Sequence, residues 1–188
     1  MRVSNSTDED LDQILGWLKA EHAVADEGFW CNRELIERAH LKGSMYVARE
    51  ADLAVGFQAG EYSADILCVR ADKQKSGIGS ALVEASILRA DRDNVVALRV
   101  QCQPRTSIPF WQKHGFKLTC EDKAVRWLDR TFDLPKGKEK VEATISFYHT
   151  SFRYQAAGSV PPLSRHVIPA ALSDEGDLIL SKRIFAPN

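Results

Sequence analysis

Ile66-Leu67-Cys68-Val69-Arg70-Ala71-Asp72-Lys73-Gln74-Lys75-Ser76-Gly77-Ile78-Gly79-Ser80 is the stretch on which the reading of this chain turns. An apolar run, expected as a strand over Ala64 to Val69, stops at a polar loop. Two glycines spaced by one residue then open a helix whose apolar stripe is Ile78, Leu82, Ala85 and Leu88. Glycine lets a backbone come close to a ligand and adopt angles that side chains resist. The first N–H groups of a helix lack internal partners and carry the positive end of its dipole, which favours a bound phosphate. Arg70, Lys73 and Lys75 add positive charge nearby. Charge-assisted hydrogen bonds contribute ~1.5–3 kcal/mol each, so three or four supply much of the roughly −8 kcal/mol of a micromolar complex. A P-loop requires Gly-Lys-Ser/Thr, whereas Gly79 is followed by Ser80 and Ala81; a dinucleotide fingerprint requires a third glycine where Leu82 stands. A glycine-assisted helix start without any ligand uses the same residues, so the neighbouring elements must decide.

Upstream, Arg2 to Asn5 reads as a short strand, and Ser6 and Thr7 followed by Glu9 and Asp10 read as a capping box. Leu11, Ile14, Leu15, Leu18 and His22 follow helical spacing, and a second helix is expected from Asn32 to Gly43 with Leu35, Ile36 and Ala39 inward. Met45 to Ala48 and Leu53 to Ala59 form a hairpin around Glu50-Ala51-Asp52. Downstream of the glycines, Val95 to Val100 is a buried strand, and Gln103-Pro104-Arg105 turns the chain. Thr106 or Ser107 caps a short helix with Pro109 in its first turn, and Gly115 ends it. Phe116 to Thr119 and Ala124 to Phe132 read as two further strands. The order β-α-α-β-β-β-α-β-α-β-β describes an α+β fold (mixed α/β), a sheet with helices on its faces.

After Leu134 the composition changes. Residues 135–140 are a charged linker, Val141, Ala143, Ile145 and Phe147 alternate as a half-buried strand does, 157–162 read as a loop, and 174–177 turn into a strand over Leu178 to Phe185. This region, 135–188, is expected to be a small β-rich extension whose exposed strands offer a homodimer surface. With 188 residues, 44% of them hydrophobic, the chain can bury a core of ordinary size. A net charge of −1 lacks the basic excess of a nucleic-acid binder. No apolar run reaches the ~18 residues of a membrane span, and Met1 to Thr7 has no apolar signal core, so a cytoplasmic protein with no membrane partner is expected. Cys31, Cys68, Cys102 and Cys120 form no CxxC pair and no metal-ligand spacing, so neither disulfide nor metal is expected. His22, His40, His114, His149 and His166 are likewise scattered without ligand spacing.

Gln74-x-x-Gly77-x-Gly79 after the fourth strand, followed by Phe110-Trp111-Gln112-Lys113-His114-Gly115-Phe116, resembles the GCN5-related N-acetyltransferase (GNAT) family. That family carries Gln/Arg-x-x-Gly-x-Gly/Ala and, further on, an aromatic helix ending in Gly-Phe. The resemblance covers residues 1–134. It implies a GNAT-like fold, a mixed, mostly antiparallel twisted sheet flanked by helices, and an acyl-CoA-binding catalytic domain over 1–134. It implies acetyl-CoA as cosubstrate, held by Gln74, Lys75, Ser76, Gly77, Ile78, Gly79 and Ser80 at its pyrophosphate. Leu67, Cys68 and Val69 would pair with the pantetheine arm, in a splay between the fourth and fifth strands, and an N–H near Val69 would polarise the thioester.

An acceptor amine of pKa ~10.4 must lose a proton before it attacks, and a carboxylate can take it. Glu61 and Asp65 stand where such a base is needed, and both residues would also suit solvated turns. Where the family often has a tyrosine acid this chain has Trp111, suited to packing against the cofactor arm or core, and Pro104 replaces a frequent asparagine. Ser107, Tyr62 or Cys102 could assist the departing thiolate. Phe29 and Trp30 lie where relatives shape the acceptor pocket. The implied activity is acetyl transfer to a primary amine of a small molecule or peptide by direct attack. A catalytically weak acyl-CoA-binding regulator and an acetyltransferase toxin acting on aminoacyl-tRNA are the alternatives.

Overall fold

The structure is a computed structural model and describes residues 1–25, 28–152 and 159–186. The chain divides into two units, Met1–Leu128 and Asp129–Asn188. The first begins with β1 (Arg2–Asn5) and α1 (Asp8–Ala25). Thr7 and Asp10 form a reciprocal cap at the start of α1: the Thr7 amide donates to Asp10 Oδ2 at 2.6 Å, and the Asp10 amide donates to Thr7 Oγ1 at 3.3 Å. Burial alone would raise the Asp10 carboxyl, but Arg49 and the Thr7 cap hold it below the usual carboxylate range. α2 (Arg33–Leu41) follows, burying Ile36 and Ala39 but leaving Leu35, expected inward, on the surface.

β2 (Met45–Glu50), β3 (Leu53–Ala59) and β4 (Ile66–Val69) complete a four-stranded antiparallel sheet in the order β1-β2-β3-β4. α1 and α2 cover one face of it, where Ile14, Leu18 and Ile36 pack on Met45, Val47 and Phe57. α3 (Ile78–Arg92) covers the other, through Ile78 and Leu82 against Ala48 and Val55. β5 (Ala97–Gln101), α4 (Ile108–Lys113), β6 (Lys117–Cys120) and β7 (Lys123–Trp127) complete the unit, with a second antiparallel sheet in the order β5-β7-β6. Val83 and Ala90 of α3 pack on Leu98, Val100, Trp111 and Phe116 of this part.

The element order expected for the first unit is the one observed, and the fold is α+β with antiparallel sheets flanked by helices. The stripe expected on α3 differs in one position: Leu88 is exposed and Ser86 is buried. The reason is a polar network. Gln58 Nε2 donates to Ser86 Oγ at 3.0 Å and to the Tyr62 carbonyl at 3.3 Å, and the Ser86 hydroxyl donates to that same carbonyl. Those bonds hold the turn before β4 against α3.

In the second unit, β8 (Lys140–Phe147), β9 (Ser164–Leu172) and β10 (Leu178–Leu180) form an antiparallel sheet in the order β10-β9-β8, with Ala143, Ile168 and Ala170 at its core. The sequence reading had not anticipated β9, and the strand expected from Leu178 to Phe185 ends at Leu180. Of the loop expected at 157–162, residues 157 and 158 lie outside the described residues. The strand expected to run on to Phe132 stops at Trp127. Thr131 instead bridges Lys182, and the Phe132 amide donates to the Ser181 carbonyl at 2.6 Å, so 131 and 132 belong to the second unit.

Candidate functional site

The loop from Arg70 to Ser76 is tied down at several points before α3 begins. The Ala71 amide donates to Glu21 Oε1 at 2.9 Å, which fastens the loop to α1. Arg70 forks onto Asp72 at 2.6 and 2.9 Å, and Lys73 pairs with Glu50 at 2.5 Å. Two of the three cations expected to meet a phosphate are thus engaged by carboxylates. Their work in the loop is internal.

Beyond Gln74 the backbone changes hand. Lys75 has φ 61° and Gly77, the N-cap of α3, has φ 89°. At Gly77 a side chain would be strained by its backbone angle although open space surrounds the position. Among the described residues, no group accepts a hydrogen bond from the amides of residues 75–80; the first amide of this helix to be satisfied is that of Ala81, bonded to the Gly77 carbonyl at 3.0 Å. Six consecutive donors at a helix start form an anion-binding surface.

These amides border a cavity of about 670 Å³, within the range of small-molecule sites. Leu67 and Val69 of β4, Gln101 of β5, and Phe110 and Trp111 of α4 wall it. β4 and β5 are not paired with each other, so the cavity opens between the two sheets. The Arg70 amide bonds the Val55 carbonyl at 3.0 Å, which fixes the alternation along β4. Cys68 therefore pairs with β3, while Leu67 and Val69 turn their peptide groups to the open edge. Gln74 Nε2 reaches the Val69 carbonyl there at 3.3 Å.

The structure sorts the expected site residues by position. Leu67, Val69, Gln74, Lys75, Gly77, Gly79, Ser80, Trp111, Asp65 and Ser107 all line the cavity. Cys68 does not. Its side chain packs with the α1–α2 cluster, and burial pushes its thiol up to about 12, which leaves it uncharged at neutral pH. Ser76 gives its hydroxyl to the Lys73 carbonyl at 2.5 Å, and the Ile78 side chain is in the core, so each can offer the cavity only its amide. Glu61 sits exposed in the turn before β4, away from the lining. Asp65 is exposed too, but it lines the cavity, with its carboxylate beside Gly60 of the same turn.

Ser107 lines the cavity, but its Oγ is buried and without a hydrogen-bond partner. Of the other two side chains considered for the leaving group, Tyr62 donates to Asp93 at 3.3 Å and Cys102 lies in the core; neither lines the cavity. Trp111 is buried, with ring centroids 5.1 Å from Phe110 and 5.2 Å from Phe116 in edge-on contact. Phe29 lines the cavity from the side of α2, and Trp30 packs against the α1–α2 cluster.

Two contributors were not picked out from the sequence. Lys113, at the end of α4, lines the same cavity as Lys75, which Arg70 and Lys73 do not. His114, buried by the next turn, places Nε2 3.1 Å from Ser80 Oγ. Burial holds its imidazole below the usual histidine range, so it stays neutral and positions Ser80 within the first turn of α3. The Gly-Phe ending was a signal for this helix, but not for what its last charged residues face. Among the described residues no cluster of three metal-ligating side chains occurs and no helix is long and apolar enough to cross a membrane.

Residues 41–118 match the family model of the acetyltransferase (GNAT) domain. The fold is that of solved GNAT structures. A GNAT family acetyltransferase from Brucella melitensis in complex with acetyl-CoA superposes with TM-score 0.53 at 14% identity, over 72% of this chain and 92% of that one. Ard1 from Thermoplasma volcanium gives 0.51 at 20% identity, over 68% and 95%. The PaiA N-acetyltransferase from Thermoplasma acidophilum in complex with coenzyme A gives 0.50 at 15% identity, over 68% and 98%. The search of curated proteins returned no match.

Proposed function

We propose that this chain, whose first unit has the GNAT fold, transfers an acetyl group from acetyl-CoA to a primary amine by direct attack. One observation carries the reading: in a run of unpartnered amides around Gly77, those of Lys75, Gly77, Gly79 and Ser80 belong to residues that line a cavity opening between unpaired strands. The relatives named above that hold coenzyme A or acetyl-CoA share this fold, which supports the same cosubstrate here. Amides 75–80 would hold its diphosphate, with Lys75 and Lys113 as counter-charges. The open edge at Leu67 and Val69 would take the amide-bearing arm as one strand takes another. The cosubstrate supplies an acyl group activated as a thioester.

Asp65 is the proposed base. Asp65 is among the residues that line the cavity, whereas Glu61 lies off it. It accepts the proton that the ammonium form of the acceptor must lose, a step worth ~4 kcal/mol at neutral pH for an amine of ordinary pKa. The amine nitrogen bonds to the acyl carbon as the carbon–sulfur bond breaks, and the Val69 N–H, on that edge, would polarise the carbonyl. Ser107 belongs to this wall but its Oγ is buried, so the sulfur, of thiol pKa ~8.5, departs as thiolate and takes up the proton that the new amide nitrogen sheds. No tyrosine lines the cavity among the described residues. That specific departure favours the second reading, a protein that binds acyl-CoA and turns over slowly or not at all. Calorimetry with acetyl-CoA and with CoA tests the binding. Acceptor-dependent appearance of free thiol across a panel of amines and peptides tests the transfer. Heat without any thiol release selects the binding protein; no heat with either ligand overturns both readings.

A further inference from the structure

We propose that a second groove, adjoining the cofactor cavity, selects amine acceptors that carry an oxyanion on an apolar body; this rests on the acyl-transfer reading above. The groove measures about 630 Å³ and runs over the β5-β7-β6 sheet. It shares Ala64, Asp65 and Gln101 with the cofactor cavity. Its inner end therefore includes Asp65, the residue proposed as base, and the reacting amine of an acceptor must lie there. The register of the sheet determines what lies further out. Arg99 is paired with Val125 and Gln101 with Lys123, so Arg99 and Lys123 are diagonal neighbours on one face. Such neighbours are about 7–8 Å apart, near enough for one carboxylate or phosphate to sit between their charged ends.

Both cations line the groove, and among the described residues neither makes an ion pair. Asp122, the acid next to Lys123 in sequence, is held by the side-chain amides of Gln101 and Gln103 at 3.0 Å each. The groove thus has two cations beyond a single acid at its inner end. Leu35 and Trp127, on its walls, are large apolar residues exposed at 38% and 37%. The lining fits a molecule with an ammonium group at one end, an apolar middle and a negative group within reach of Arg99 and Lys123. A polyamine fits it poorly, because a second positive charge would meet those cations.

The test uses the full chain saturated with CoA. N-acetylphenylalanine, its phosphonate analogue and the uncharged N-acetylphenylalaninamide are titrated calorimetrically into wild type, Arg99→Gln and Lys123→Gln. The proposal expects both anionic ligands to bind at least about tenfold more tightly than the amide, with each substitution removing most of that difference. The carboxylate and phosphonate arms tell which oxyanion is preferred. With phenylalanine as acceptor, the loss in the variants falls on KM rather than kcat. Equal affinity for charged and neutral ligands, or variants indistinguishable from wild type, overturns the proposal while CoA binding leaves the acyl-transfer reading standing. If CoA itself fails to bind, it is that reading which falls, and this one with it.

Discussion

Replacing Gly56 by alanine probes the junction on which the cradle rests. Gly56 lies in the middle of β3, and a Cβ there would stand 2.9 Å from Ile78 Cγ2, 3.1 Å from the Cys68 carbonyl oxygen and 3.4 Å from Val69 Cγ2. The first two approaches are shorter than ordinary carbon contacts, and neither neighbour can easily give. The Cys68 peptide is part of the ladder to β3, and Ile78 is 1% exposed and β-branched, hence stiff within a helix. Overpacking of this kind costs about 1–3 kcal/mol, partly offset by the ~0.5–1 kcal/mol gained when alanine replaces glycine in a strand. The net expectation is about 1–2 kcal/mol of destabilisation, a fall of roughly 4–8 °C in Tm for a unit of this size.

Ile78 is also the first residue of α3, so any shift that relieves the contact moves the amides of 78–80 and weakens CoA binding. Urea unfolding of Gly56→Ala, Ile78→Ala and the double variant completes a double-mutant cycle. Because Ile78→Ala removes the clashing methyl, the double variant should be about 1 kcal/mol more stable than the sum of the singles predicts. Gly16→Ala is the control. Nothing lies within 4 Å of the added methyl in the exposed middle of α1, so the same chemical change should stabilise by ~0.5–1 kcal/mol. A Gly56→Ala protein as stable as wild type, or strict additivity with Ile78→Ala, refutes the reasoning.

Other expectations concern the chemistry. Asp65→Asn should lower kcat about 10²–10⁴-fold with CoA affinity unchanged, while Glu61→Gln stays near wild type; equal losses in both, seen by thiol release, would remove Asp65 from its role. Lys75→Ala and Lys113→Ala should each weaken CoA binding about tenfold and flatten its dependence on salt, whereas Arg70→Ala should act mainly on stability, all readable by calorimetry at two ionic strengths. His114 is held neutral by burial, so its folded pKa lies below the unfolded value. Between those values the unfolded chain binds more protons, and the stability this group confers is complete above about pH 6.5 and declines as pH falls. His114→Gln should remove that part of the acid sensitivity in denaturant titrations at pH 7 and pH 5.

The fold of the first unit was legible because its signals are local. Apolar alternation at Met45–Ala59, the Thr7–Asp10 cap and the glycines at 77 and 115 each act within a few residues of themselves. What failed to show depends on partners distant in sequence. Lys73 read as a phosphate ligand because nothing near it in sequence reveals Glu50, brought over by the β2–β3 hairpin. Lys113 read as a helix end because its exposure to the cavity depends on where α4 docks. Leu88 read as core, and Ser86 was not placed there, because the Gln58–Tyr62 network that buries Ser86 spans 28 residues. β9 escaped notice because Pro169 and the small Ala170 and Ala171 imitate a loop in composition, although Ala170 and Ala171 are buried by β8 and β10.

The unpaired side of β4 has a consequence for the handling of the protein. A row of unsatisfied peptide groups on extended chain is also what recruits foreign strands during aggregation, and the Gln74 side chain shields only one carbonyl of that row. Coenzyme lying along it would act as a removable cover. Purified without nucleotide, the chain should cloud on warming sooner than its folding stability requires, and saturation with CoA should keep it clear.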